Sequence, residues 1–447
     1  MIEWLVAIYF ASFMVISIYT AALLVVVIRY RRYKPPAMVD ISRGMPDVTV
    51  QVPVYNPDRA SFIRGIDAVV KMAYPLDHLQ IQVLDDSTKA EIISFVNEAC
   101  ESRGVELIHR DTREGYRAGA FANSMSSVRG EYITIINVDC IPPTHFLEKM
   151  VATIHAHPSA GYVMSNHVYY NRLSSDQTRV TSLILDLGIM NLNGLSMLTG
   201  GGVVIRKQAI LDSGGWQGDT ICDDYDTGAR ILSRGYGSLF LRETEFPCEA
   251  PESLREYRRT TERWARASGQ YIRKDLGTIL RGKTDKFTKF LLLTLSTGFI
   301  QMLASVINLL AALALISLNS MPGSQYAILW SIVSVTGFSL YFYYYNVTKF
   351  RGLSMRGNFR SLVLAVVIGY GSIFFVAYNL LKGILETGTE RAVMKVNSML
   401  EQTIVDGLFV VVTLSTLILA VFNRNAILAA YMLLNLVGIT LIRTMKA

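Results

Sequence analysis

The sequence predicts an α/β domain, built on a mostly parallel sheet, inserted between transmembrane helices. Three observations carry this. Residues 4–28, "WLVAIYFASFMVISIYTAALLVVVI", hold no charge. Between about 47 and 249, short apolar runs alternate with helical patterns. After about 285 the chain turns apolar again, so that 51% of its 447 residues are hydrophobic and only 18% charged. That balance excludes an ordinary soluble enzyme of this size.

The first apolar stretch is roughly 37 Å long as a helix, enough to cross a ~30 Å hydrocarbon core. No small-residue cleavage site follows it, so it reads as an anchor rather than a signal peptide. "RYRRYK" (29–34) comes next, and the positive-inside rule places it on the cytoplasmic side. Next, "DVTVQVPVY" (47–55), "LQIQVLDDS" (79–87), "VELIHR" (105–110) and "YITIINVDC" (132–140) read as buried strands, with "GYVMSNHVYY" and "SLFLRETEF" as further strands. Helices are expected near 58–72, 89–103, 117–128, 144–156 and 223–235. Such alternation implies a sheet covered on both faces, with ligands at the carboxyl ends of its strands. Further spans are expected near 289–317, 325–345, 361–381, 404–422 and 426–443, four to five in number. If all five cross, the charged, amphipathic 383–403 segment lies on the outer side; it could equally be a cytoplasmic interfacial segment, with one neighbouring stretch re-entrant. The resulting division is an anchor (1–34), a cytoplasmic domain (35–248), interfacial amphipathic helices (249–288) and a transmembrane region (289–447).

The four cysteines, Cys100, Cys140, Cys222 and Cys248, form no C-x-x-C pair and read as reduced cytosolic thiols. His155 and His157 are two apart and share no helix face, so no zinc site is expected. "NVT" at 346 carries no weight as a glycosylation signal. No nucleic-acid partner is expected, and oligomeric state is not legible. Neither G-x-G-x-x-G nor G-x-x-x-x-G-K-[ST] follows the first strand, which argues against a dinucleotide-binding dehydrogenase and a P-loop NTPase.

Carboxylates recur where ligands are expected. The second strand ends in Asp85-Asp86-Ser87, the fourth in Asn137-Val138-Asp139, and "CDDYD" puts Asp223, Asp224 and Asp226 at a helix start. Each alone is explained by strand termination or capping. Together, two at the carboxyl edges of apolar strands and the third opening a helix, they favour a functional site, with a cation site and a catalytic base as the readings.

Seven stretches, in order over about 47–270, resemble the membrane-embedded family 2 glycosyltransferases, the group of cellulose and hyaluronan synthases. They are "VPVYN" (52–56), "LDDS" (84–87), "REGYRAGAFANS" (113–124), "NVDC" (137–140), "LTGGGVVIRKQAI" (198–210), "TICDDYDTGARI" (220–231) and "EAPESLREYRRTTERWARASGQ" (249–270). The resemblance implies a GT-A-like domain that moves a sugar from a nucleotide-diphospho-sugar, a UDP-sugar above all, onto a growing polysaccharide, with possible export. It implies donor contacts at Asp85, Asp86, Arg117, Asn137 and Asp139. Asp139 would ligate Mg²⁺ or Mn²⁺, which neutralises a departing diphosphate. It implies an acceptor side at Gly200, Gly201, Asp223, Thr260, Arg263 and Trp264, where an aromatic face stacks on a sugar ring and Arg offers a donor fork. Asp224 would be the general base, because a sugar hydroxyl is a poor nucleophile until its proton is taken. Direct attack opposite the diphosphate inverts the anomeric carbon. Three positions depart from the pattern: Asn137 for the first Asp of Asp-x-Asp, Pro57 where Glu commonly stands, and Thr260 for the Gln of Gln-x-x-Arg-Trp. Two alternatives remain open: transfer of one sugar to a lipid acceptor, and an inactive partner subunit. The segment around Arg263 and Trp264 is also basic with Leu254 and Tyr257 interleaved, the pattern of a membrane-surface helix.

Overall fold

The computed structural model describes residues 1–42, 44–195, 197–295, 298–318, 320, 352–386, 399–422 and 426–444. The expected span at 325–345 and most of the 383–403 segment lie outside the described residues.

Seven strands form one sheet: β1 (Val48–Val54), β2 (Leu79–Asp85), β3 (Glu106–His109), β4 (Tyr132–Ile135), β5 (Ala160–Tyr169), β6 (Val203–Arg206) and β7 (Gly237–Cys248), in the order β3-β2-β1-β4-β6-β5-β7. The first four are parallel, as the alternation with helices implied. The sheet is mixed, however, because β6 runs antiparallel to both β4 and β5. β6 comes from "VVIR", inside the stretch read only as a glycine-rich loop; four residues are too few for periodicity to reveal a strand. Its alternation still sets its packing. Val203 and Ile205 join the apolar layer of Phe121, Ile133 and Ile231, while Val204 joins that of Val50, Phe62, Ile66 and Phe146 on the other face.

The helices are α1 (Ile2–Arg31), α2 (Arg59–Val70), α3 (Ala90–Glu101), α4 (Tyr116–Ser124), α5 (Phe146–His155), α6 (Asp176–Leu195), α7 (Lys207–Asp212), α8 (Asp223–Ser233), α9 (Leu254–Arg281), α10 (Lys286–Leu295), α11 (Ile300–Ser317), α12 (Met355–Gly371), α13 (Ile373–Leu385), α14 (Met399–Phe422) and α15 (Ala426–Thr444). Caps explain two starts that matter for the site. Asp58 accepts from the Ser61 amide ahead of α2, and Ser253 accepts from Glu256 ahead of α9. α6 was not anticipated from the sequence.

Among the described residues, three helices are long and apolar enough to cross a membrane, within 2–23, 300–317 and 402–422. The expected span at 361–381 is instead the pair α12 and α13, bent by 51° at Ser372. That at 289–317 divides into α10 and α11, and the last apolar stretch is shorter than a full span. α1 docks on α11, where Asn308 donates to the Tyr9 carbonyl and the Ser12 hydroxyl, each at 3.0 Å.

The cysteine expectation is corrected at one pair. Cys140 and Cys248 are joined in a disulfide. They are 108 positions apart, so spacing alone concealed the pair; the sheet brings the end of β7 alongside the loop after β4. Cys100 and Cys222 are free and buried.

Candidate active site

The site assembles from four segments: the start of α4, the loop after β4, the glycine loop before β6, and the start of α8, with α9 across them. A cavity of about 1530 Å³ joins them and continues between the apolar helices as far as Asn308, Tyr370 and Tyr431. Arg117, Asn137, Asp139, Gly200, Gly201, Asp223, Asp224, Thr260, Arg263 and Trp264 all line it, so ten of the anticipated residues meet in one place.

α8 opens with Asp223, Asp224 and Asp226, where the helix dipole favours negative charge. The three acids then part company. Asp223 receives both prongs of Arg117, at 2.8 Å and 2.6 Å. Asp226 is buried and bound by Arg230 and Lys274, which makes it part of the frame between α8 and α9. Asp224 accepts from the Tyr225 amide at 2.9 Å, and Arg117 Nη2 stands 3.8 Å away, a looser pair than that with Asp223. Burial pushes the Asp224 carboxyl up to about 6, the Asp223 charge adds to this, and Arg117 opposes it. A carboxylate with weak partners and a raised pKa inside a cavity has the character of a general base.

Arg117 also donates to the Gly200 carbonyl at 3.3 Å. A Cβ at Gly200 would stand 2.8 Å from Arg117 Nη1 and 3.1 Å from Asp224 Oδ2, so a side chain there would intrude on both. A Cβ at Gly201 would stand 3.0 Å from Asn137 Nδ2. The glycine loop thus lets the backbone close over the charged groups.

Asp139 opens into the cavity. Burial by the surrounding walls pushes its carboxyl up; Glu249 adds to this, while Arg263 and Arg117 act the other way. Arg263 in turn is lowered by burial and the Arg117 charge, with Asp224 and Asp139 opposing. The Arg263 guanidinium therefore faces the same space as both carboxylates. Trp264, 39% exposed, lines the cavity next to it.

Two anticipated residues stand elsewhere. Asp85 is fully buried, accepting from the Ser87 amide at 3.0 Å and paired with His109 at 2.8 Å. Asp86 is buried in a two-pronged pair with Arg110, at 2.8 Å and 2.6 Å. Neither is among the residues that line the cavity, and each is held by a basic partner of its own. Their effect is one step removed, because Arg110 also binds the carbonyls of Glu114 and Tyr116 and so shapes the turn that presents Arg117.

Three features were missed. Glu249 lines the cavity and pairs with Arg64 at 3.3 Å. The Arg113 guanidinium lies 3.4 Å from the centre of the Tyr55 ring. The Cys140–Cys248 bond ties the Asp139 loop to the strand that precedes Glu249. Glu249, Tyr55 and Arg113 all fall inside the quoted motifs, but nothing in their spacing marked them.

The Glycosyl transferase family 2 model matches residues 49–211, and that of Glycosyl transferase family group 2 matches residues 132–346. The chain is 28% identical over 308 residues to "Probable glucomannan 4-beta-mannosyltransferase 4" of Oryza sativa subsp. japonica, covering 65% of this chain and 56% of that protein. It is 28% identical over 275 residues to "Glucomannan 4-beta-mannosyltransferase 2" of Arabidopsis thaliana, covering 58% and 51%. The chain thus spans about half the length of the curated relatives it matches. In fold it is similar to the mannosyltransferase PcManGT of Pyrobaculum calidifontis, solved in complex with GDP-Man and Mn²⁺ (TM-score 0.56, 22% identity, 81% of this chain and 98% of that one). With that GT-A-like mixed sheet, the matched motifs and the flanking apolar helices, the chain belongs to the family 2 glycosyltransferases.

Proposed function

We propose that the chain transfers a hexose, with inversion, from a nucleotide-diphospho-sugar to a growing glycan at a membrane surface. The observation that carries this is the position of Asp224, raised to about 6 and flanked in one cavity by Arg117, Asp139, Arg263 and Trp264. Arg117 and Arg263 attract the diphosphate; Trp264 and Thr260 meet the acceptor ring. Asp224 takes the proton from the attacking hydroxyl, which adds ~10²–10⁴-fold to the rate.

A divalent cation fits the residues present. Asp139 opens into the cavity, and among the described residues no three His, Cys, Asp or Glu side chains converge as a closed metal cage. Asp139 would hold Mg²⁺ or Mn²⁺ together with oxygens of the donor itself. When bound, the cation neutralises charge on the departing diphosphate.

The named relatives are mannosyltransferases, which favours GDP-mannose over the UDP-sugars as donor. Addition of one sugar to a lipid acceptor is the second reading; Thr260 in the Gln position and the reach of the cavity between apolar helices favour it. The same proposal puts the catalytic domain in the cytoplasm of a multi-pass cell-membrane protein, because "RYRRYK" stands at the end of α1. The Cys140–Cys248 bond weighs the other way, because the cytosol keeps accessible thiols reduced; both residues are buried. Export of the product through the continued cavity is part of the same proposal.

The test is purified protein in lipid with radiolabelled GDP-mannose, UDP-glucose and UDP-N-acetylglucosamine, followed by sizing of the product. A long polymer supports the first reading. A single sugar on an organic-soluble product supports the second. No turnover of any donor leaves the inactive-partner alternative.

A further inference from the structure

α9 carries Thr260, Arg263 and Trp264 toward the cavity, but its opposite face is fastened to membrane helices. A Cβ at Gly269 would stand 2.3 Å from the Leu380 carbonyl oxygen, and one at Gly383 would stand 2.1 Å from that of Arg266. The two backbones therefore approach as only glycine allows. Arg266 pairs with Glu386 at 2.6 Å beside this crossing.

Near the start of α9 the fastening is a charge inside an apolar helix. Asp406 lies in "IVDGLFVVV" of α14 with its side chain 4% exposed. It accepts from Arg258 of α9 at 2.7 Å and from Arg443 of α15 at 3.1 Å. The Arg258 guanidinium also lies 4.1 Å from the centre of the Phe375 ring on α13. A carboxylate in such a helix is costly unless it is paired, and the pairing here crosses three helices. Arg258 is two residues from Thr260 and five from Arg263, on the far side of the same helix.

We propose that Asp406 is a positioning residue for acceptor binding: by clamping Arg258 and Arg443 it sets the height of α9, and so the grip of Thr260, Arg263 and Trp264 on the acceptor. This rests on the acceptor role given to those three residues above. Among the described residues, the hydrogen bonds and ion pairs of Asp406 go to Arg258 and Arg443, and none goes to the donor side on α4, α8 and the loop after β4. Loosening the clamp should therefore spare donor binding and hydrolysis by water while lowering transfer.

The full chain in lipid nanodiscs tests this with Asp406→Asn, Asp406→Glu and Arg258→Met. Three quantities are read: GDP binding in Mn²⁺, the partition of GDP-[¹⁴C]mannose label between free sugar and glycosylated product, and hydrogen exchange over 254–281. Asp406→Asn is expected to bind GDP within ~2-fold of wild type, to shift the partition ~10-fold or more toward free sugar, and to exchange faster in α9, since small misplacements of positioning groups have effects of this size. Asp406→Glu should recover most of the transfer. Arg258→Met removes the same contact from the other side and decides the matter where Asp406→Asn does not fold. An unchanged partition, or parallel loss of binding, hydrolysis and transfer, overturns the proposal. A wild-type chain that turns over no donor overturns the reading of the site instead; the exchange rates then still decide whether Asp406 holds α9.

Discussion

Asp224 sits between a negative neighbour and a positive one, and its pH dependence follows from that. Its carboxyl is raised to about 6 by burial and by Asp223, and only the ionised form can accept a proton. Transfer should therefore rise from pH 5 to 7, pass half its maximum near pH 6 and level off above about 7. In Asp223→Asn the adjacent negative charge is gone and Arg117 is left to Asp224, so the shoulder should move to lower pH; a pH–rate profile whose shoulder stays put or rises contradicts this. Asp224→Asn should keep nucleoside-diphosphate binding and lose at least ~10²-fold in transfer. If Asp223→Asn is the dead variant and Asp224→Asn turns over normally, the base is Asp223. Gly200→Ala would press a methyl group between Arg117 and Asp224, so we expect transfer to fall ~10-fold or more with binding far less affected. Chelator should abolish turnover, Mn²⁺ should restore it, and Asp139→Ala should remove that dependence together with donor binding.

At the level of elements, the loop after β4 is where several constraints meet. Asp139 leaves the sheet there, and Cys140 next to it is bonded to Cys248 at the end of β7. Denatured without reductant, the protein should present two reactive thiols; after reduction it should present four, the full cysteine complement. Four thiols before reduction would mean that this bond does not form in solution. Closing a segment of this length contributes about 4–5 kcal/mol in the chain-entropy account, so loss of the pair should lower the unfolding midpoint measurably. On α9, Thr260→Gln places a longer amide beside Arg263 and Trp264. If the acceptor grip limits the product, the change should lengthen it without altering donor choice; unchanged product length assigns that grip to other residues.

For the whole molecule, the orientation of the catalytic domain is the open quantity with the simplest measurement. Asp111 has a fully exposed side chain on that domain, whereas all four native cysteines are buried or bonded. Asp111→Cys is thus a clean reporter. A membrane-impermeant maleimide should fail to label it in intact cells and should label it after permeabilisation. Labelling from outside would put the domain on the other face and accord with the disulfide. The cavity lined by Asp224 also reaches Tyr431 between the apolar helices, and this is the route we propose for the product or a lipid.

The sequence by itself determined what depends on short range. The alternation of apolar runs marked β1 to β5 and β7, the helices α2 to α5 and α8, and the separation of a polar domain from apolar flanks, because burial on a pleat or a helix face imposes a period on neighbouring residues. The motif order brought the ten cavity residues onto one list. Three things were left to the tertiary structure, since each is a contact between distant positions. Arg117 binds Asp223, 106 positions away, more closely than Asp224, and this is what leads us to propose Asp224 as the base. Arg110 and His109 take up Asp86 and Asp85, which sequence order alone could equally have turned toward the donor. Asp406 reaches Arg258 across 148 positions. Charge and spacing propose many such partners, and only the packing of the sheet and helices, which excludes water from the chosen pairs, selects among them.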